Sequence, residues 1–319
     1  MTEKRRIILD VDTGVDDAMA ILYAINRPGL TLEACTTVFG NTEIENATRN
    51  TLQILELGGR ADIPVAAGAA RSLLYPFIKT AGHVHGDNGL GEITLPPPRS
   101  KPLEEHASDL IIRLARENPG EITLVPVGPL TNVALAIAKD REIAGLLREI
   151  VVMGSTVLHP GIGGTPRPMV DANFLNDPEA AHIVINSGAR LTLVGMDVTM
   201  RTMLTADRIA KITADGGPAG RKLMEITKFY LDFYNESAGY EIGAGMHDPL
   251  AVAIAEDPSL VTKTPMLATV ELNGEWTRGQ FIADRRRQAE GRENVDVCTD
   301  VQVDRFIDRF VETIKTVGL

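Results

Sequence analysis

The chain has 319 residues, 44% of them apolar, and carries 32 Lys and Arg against 43 Asp and Glu, a formal charge of −11. That size and composition suit a soluble protein with a large core, and no apolar run approaches the roughly 18 residues a membrane span needs. The acidic balance excludes nucleic acid and anionic membrane as expected partners, since both are held through clustered Lys and Arg, and Arg285-Arg286-Arg287 reads as a solvated turn. Cys35 and Cys298 stand far apart in apolar stretches without CxxC spacing, as expected of reduced thiols in a cytoplasmic protein.

In chain order, short β-branched runs alternate with amphipathic stretches. Strands are predicted at Arg6–Val11, Leu30–Val38, Glu121–Val127, Glu149–Met153 and Arg190–Val194. Helices are predicted at Asp16–Asn26, Ile44–Leu57, Thr131–Ala138, Pro178–Asn186 and Arg221–Asn235. Beyond Pro249 the pattern changes to Val261–Leu272, Gly279–Asp284 and Asn294–Cys298, then a helix near Val303–Ile314. The expectation is one α/β domain over 1–319: an open, mostly parallel, Rossmann-like central sheet flanked by helices, with antiparallel strands late in the chain. Thr80–Ser100, Gly154–Val170 and Ser237–Met246 read as long loops, which at strand ends usually carry function.

The first strand runs into four acids within eight residues, Asp10, Asp12, Asp16 and Asp17, before an apolar helix. Helix-dipole compensation accounts for Asp16 and Asp17 alone. Asp10 and Asp12 share a strand face, and Asp12 lies at the carboxyl end, where open α/β sheets bind ligands. A hard divalent cation held by Asp12 and Asp17 would relieve the repulsion, leaving Asp16, turned about 100° away on the helix, free for a substrate. On this segment alone a second reading stays open: an aspartyl-phosphate phosphatase of the haloacid dehalogenase type, with Asp10 as nucleophile and Asp12 as acid.

The longer pattern resembles the inosine-uridine preferring nucleoside hydrolases. Asp12-Thr13-Gly14-Val15-Asp16-Asp17-Ala18 is similar to that family's opening signature, followed in order by Val38-Phe39-Gly40-Asn41, His85-Gly86, Val127-Gly128-Pro129-Leu130-Thr131-Asn132 and Val151-Val152-Met153-Gly154. Asn173 ahead of Asp177-Pro178-Glu179, then Gly195-Met196-Asp197-Val198-Thr199, His247-Asp248-Pro249-Leu250 and Thr277-Arg278-Gly279 complete the series. The resemblance implies hydrolysis of the N-glycosidic bond of ribonucleosides to free base and ribose. It also implies one Ca²⁺ on Asp12, Asp17, Asp248 and the main-chain carbonyl of Val127. A metal lowers the pKa of its bound water, and Asp12 would take the proton.

By the same resemblance, Asp16, Asn41 and Asn173 hold ribose hydroxyls, Met153 lines the sugar pocket, His85 lies over the base, and His247 assists the leaving base. Asp248 borders substrate as well as metal. Where the family carries Glu and Asn for the ribose 5′-hydroxyl, this chain has Asp171 and Thr165, so a roomier 5′ end is expected. The aromatic run Phe229 to Tyr234 reads as core packing and is left outside the site. A small-molecule partner and a homodimer or homotetramer follow from the resemblance. The alternatives are the phosphatase, for which no catalytic Lys context is found, and a calcium-bearing binding protein without turnover.

Overall fold

Ile7, Ile8 and Leu9 put apolar side chains on both faces of one strand, the composition of a strand covered on both sides. The computed structural model places it inside a nine-stranded sheet and describes residues 4–76, 81–158, 166–167, 170–239, 241–286 and 291–318. The first run is β1 (Arg5–Val11), α1 (Val15–Asn26), β2 (Leu30–Thr37), α2 (Ile44–Leu57) and β3 (Val65–Ala67). It is followed by α3 (Gly82–His85), α4 (Ala107–Glu117), β4 (Ile122–Pro126), α5 (Thr131–Lys139), α6 (Ile143–Leu146) and β5 (Glu149–Met153). Next come α7 (Ala172–Asn176), α8 (Pro178–Ile185), β6 (Leu191–Val194), α9 (Met196–Thr199), β7 (Met203–Leu204), α10 (Ala206–Asp215) and α11 (Pro218–Ala238). Then follow β8 (Ala244–Gly245), α12 (His247–Glu256), β9 (Val261–Val270), β10 (Phe281–Asp284), β11 (Val295–Val301) and α13 (Val303–Lys315).

The sheet order is β10-β9-β11-β6-β5-β4-β1-β2-β3, with β7 and β8 forming a separate pair. Every pairing from β3 across to β11 is parallel. The expected late antiparallel strands are β9, antiparallel to both β11 and β10. From β1 the chain winds outward through β2 and β3, then returns to β4 on the other side of β1 and winds the opposite way. The carboxyl ends of β1 and β4 therefore flank the point where the winding reverses, which opens a crevice for a ligand.

Strand alternation fills a core on each face. Ile7, Leu9 and Val11 pack with Val15, Met19 and Leu22 of α1 on one side. Ile8, Leu124, Ile150 and Val152 pack with Val133 and Val184 on the other. Helices α1 and α12 lie against each other, and the Arg27–Glu256 ion pair at 2.8 Å joins their carboxyl-terminal ends. Each fully buried side chain of this kind stabilises by about 1.5–3 kcal/mol. Among the described residues no helix is long and apolar enough to cross a membrane.

Candidate active site

Asp12 follows β1 and is fully buried; its carboxylate accepts the Asn41 backbone N–H at 2.6 Å and the Asn41 side-chain amide at 3.2 Å. Asn41 stands after β2 and donates the same amide to Asp17 at 3.0 Å. Asp17 also closes the helix start. Its carboxylate accepts the backbone N–H of Asp12 at 3.1 Å and of Gly14 at 2.9 Å, satisfying amides that no helix bond can use. Gly14 is required for this turn, since a Cβ there would stand 2.6 Å from His85 Nδ1.

Asp248, in the first turn of α12, completes the acidic floor. One oxygen each from Asp16, Asp17 and Asp248 lies within 4.8 Å of the others. The sequence reading turns Asp16 away from Asp17; the structure brings both to one point. Side chains in an opening turn lean toward the helix start, and a 100° step there still leaves both carboxylates facing the crevice. Beyond burial, the Asp17 charge also acts on both Asp12 and Asp248, raising each.

These groups lie beneath a cavity of about 280 Å³ that is lined by Asp16, Asn41, Val127, Met153, Asp171, Asn173, Asp248, His85 and His247 among others. Asn173 donates its amide to the Val127 carbonyl at 2.7 Å and to that of Met153 at 3.2 Å, so the ends of β4 and β5 are tied together at the cavity wall. Asp171 caps α7, accepting the N–H of Asn173 at 2.9 Å and of Phe174 at 3.3 Å. Burial still pushes it up to about 6. Its expected companion Thr165 lies outside the described residues.

Electrostatically the floor is overloaded. Burial first, and the charge of Asp17 second, raise Asp12 and Asp16 well above the carboxylate range. Burial and then the Asp16 charge do the same to Asp248. Among the described residues no Lys or Arg lines the cavity to offset them. Asp16 Oδ1 is buried without a hydrogen-bond partner, 3.8 Å from His85 Nδ1. All-oxygen donors, an orphaned oxygen and no protein cation fit a hard metal ion.

The far end is aromatic and neutral. His85 Nδ1 accepts the N–H of Val15 at 3.2 Å, which leaves its proton on Nε2, and burial lowers the ring to about 3. His247 sits between Tyr234 Oη, 2.6 Å from Nε2, and Thr199 Oγ1, 2.7 Å from Nδ1. Burial lowers His247 to about 4, so the ring is uncharged at neutral pH. Tyr230 stacks on His85 with centroids 5.2 Å apart and meets Tyr234 edge-on at 4.9 Å.

Apart from Thr165, the site residues of the sequence reading are thus found at or directly under one cavity. The aromatic run reads from sequence as core packing, yet Tyr230, Phe233 and Tyr234 line the cavity, and Thr199, given no role by the sequence, holds His247. Tyr230 and Tyr234 are four apart on the helix that precedes His247 and share a face, a spacing that core packing produces equally well.

The sequence profile described as inosine-uridine preferring nucleoside hydrolase matches residues 7–308. The chain belongs to this family. The nucleoside hydrolase is 40% identical over 279 residues to a probable uridine nucleosidase 2 of Arabidopsis thaliana, covering 87% of this chain and 85% of that protein. It is 36% identical over 317 residues to the inosine-uridine preferring nucleoside hydrolase of Crithidia fasciculata, covering 98% of each. A solved purine-preferring ribonucleoside hydrolase from Gardnerella vaginalis superposes with a TM-score of 0.92 at 36% identity, covering 98% of both chains. The nucleoside hydrolase is accordingly a hydrolase of N-glycosyl bonds acting on small-molecule ribonucleosides, which sets aside the phosphatase alternative.

Proposed function

We propose that hydrolysis to free base and ribose is Ca²⁺-dependent, with Asp12, Asp17, Asp248 and the Val127 carbonyl holding the ion, Asp12 acting as base and His247 assisting the leaving group. The observation that carries this is the buried acidic cluster at the floor of the cavity, opposite a neutral, hydrogen-bonded histidine. A bound hard cation supplies a lowered pKa to water beside it and neutralises the carboxylates. Asp12 is oriented by two Asn41 donors toward that floor and receives the proton of the attacking water. Asp16, Asn41, Asn173 and Asp171 border the ribose, and the surrounding carboxylates favour the positive charge that develops on it. Met153 packs under the sugar.

At the other end, His85 presents its Nε2–H toward the base. His247, with Tyr234 and Thr199 on either nitrogen, is fixed in orientation and close to a hydroxyl that can exchange a proton with it. The relatives' names span uridine and purine nucleosides, so both are substrates to test. Base release from inosine and uridine should vanish after calcium-selective chelation, return with Ca²⁺, and fall by several orders of magnitude in Asp12→Asn. Full turnover by rigorously metal-free protein rules the mechanism out.

One observation favours a second ligand set: Asp16, rather than Asp12, shares the 4.8 Å cluster with Asp17 and Asp248. Calorimetric Ca²⁺ affinities of Asp12→Asn and Asp16→Asn decide between them. The whole chain acts here as one domain. The buried free thiols Cys35 and Cys298 support a reducing, cytoplasmic setting, and assembly as a homodimer or homotetramer is checked by light scattering.

A further inference from the structure

At the end of the strands opposite the active site, the amino-terminal ends of β1 and β5 meet the carboxyl-terminal ends of α1 and α12 around a second cavity. It has a volume of about 570 Å³, and five cations, Lys4, Arg5, Arg27, Arg148 and Arg309, line it with only two carboxylates, Glu256 and Asp257. In a chain of net charge −11 such an excess of cations is local and pronounced.

The two acids are already committed. Glu256 takes Arg27 at 2.8 Å and has Arg309 at 3.9 Å. Asp257 takes Arg309 at 2.8 Å, Arg305 at 2.7 Å and the Ser259 hydroxyl at 2.6 Å. Arg5, Lys4 and Arg148 have no side-chain partner among the described residues, although Arg5 is half-buried. Three cations without a carboxylate partner thus line one cleft, and their donors are free for an anion.

We propose that this cleft is a binding site for a phosphate monoester, a site separate from the catalytic cavity. Two guanidiniums offer planar pairs of donors to a tetrahedral oxyanion, and the ammonium adds a point charge. A phosphate monoester carries close to two negative charges at neutral pH. The volume exceeds what a bare phosphate would fill and lies in the range of small-molecule sites, which leaves room for the organic group the phosphate carries. The length of α1 separates the two sites by about 18 Å at 1.5 Å per residue, so occupation of one does not obstruct the other.

The test is isothermal titration of the full chain with glycerol 2-phosphate at fixed ionic strength, against glycerol with matched sodium chloride. Saturable binding with a dissociation constant below about 1 mM is expected for the phosphate and none for the control. Arg5→Gln with Arg148→Gln removes both unpaired guanidiniums while leaving the Arg27–Glu256 pair in place, and should weaken binding at least tenfold. Lys4→Gln, at an exposed position, should weaken it severalfold and guards against a double variant that fails to fold. Absence of saturable binding overturns the proposal, as does unchanged affinity in folded Arg5→Gln/Arg148→Gln or in Lys4→Gln.

Discussion

Replacing Tyr234 by Phe removes one oxygen and nothing else, and that oxygen is 2.6 Å from His247 Nε2, between two buried side chains of the cavity wall. The ring stays packed, edge-on to Tyr230 at 4.9 Å and to Phe233 at 5.3 Å. What is lost is one hydrogen bond to a buried imidazole, whose nitrogen is then without a partner. That costs about 1–3 kcal/mol. If His247 serves only the departing base, the cost appears in kcat/KM for inosine as a fall of about fivefold to 150-fold, at 1.36 kcal/mol per tenfold. p-Nitrophenyl riboside, whose leaving group needs no proton, should lose less than about threefold by the same reasoning.

The assay is base release from inosine alongside nitrophenolate release, on the wild type, Tyr234→Phe, His247→Ala and the double variant. Because the two side chains act through one contact, Tyr234→Phe should cost little once His247 is gone. Equal losses on both substrates, or a full additional loss in the double variant, would refute the assignment of Tyr234 to orienting His247.

Asp17→Ala should remove Ca²⁺ binding in calorimetry as well as activity, because it deletes a carboxylate that clusters with Asp16 and Asp248 and shares the Asn41 amide with Asp12. Gly40→Ala should cut kcat by more than about a hundredfold while the protein stays folded, since the new Cβ would collide with Asp12 Oδ2 and stand 2.9 Å from Pro129 Cδ. Circular dichroism and turnover check the two halves of that statement. Asp171 spends its carboxylate on capping α7, so 5′-deoxyuridine should keep kcat/KM within about tenfold of uridine. A hundredfold loss, about 3 kcal/mol, would mean that the 5′-hydroxyl is gripped after all.

How far the sequence could be read depended on the physical signal each element leaves. β1 and β5 show as short apolar runs because both faces are covered, and α2 and α13 show as amphipathic periods. β3 is three residues long, too short to alternate, and is a strand only because β2 offers it an edge. α4 and α10 carry apolar stripes but fall between the stretches singled out above. In the site, Asp12 and Asp17 are legible because carboxylates are out of place in apolar surroundings, whereas Asp248 is reached through the resemblance of His247-Asp248-Pro249-Leu250. Tyr234 and Thr199 are not, because an aromatic on an amphipathic helix or a threonine after a strand is ordinary until the fold places it against His247. The nearness of Asp16 to Asp17 and Asp248 likewise depends on where α12 docks, a tertiary fact.

The docking of α1 beside α12 also bears on biosynthesis. Asp12, Asp16 and Asp17 are translated well before Asp248, which lies in the later helix α12. Until α12 settles against α1, the early carboxylates have one another for company and no fourth wall. Capture of the proposed ion would therefore wait for α12, and a cation that prefers the finished cluster would draw the nascent protein toward its native state. A product terminated before α12 would keep the signature-bearing amino-terminal strand and helix and yet have no assembled reaction centre, so catalytic competence itself reports that synthesis has reached α12.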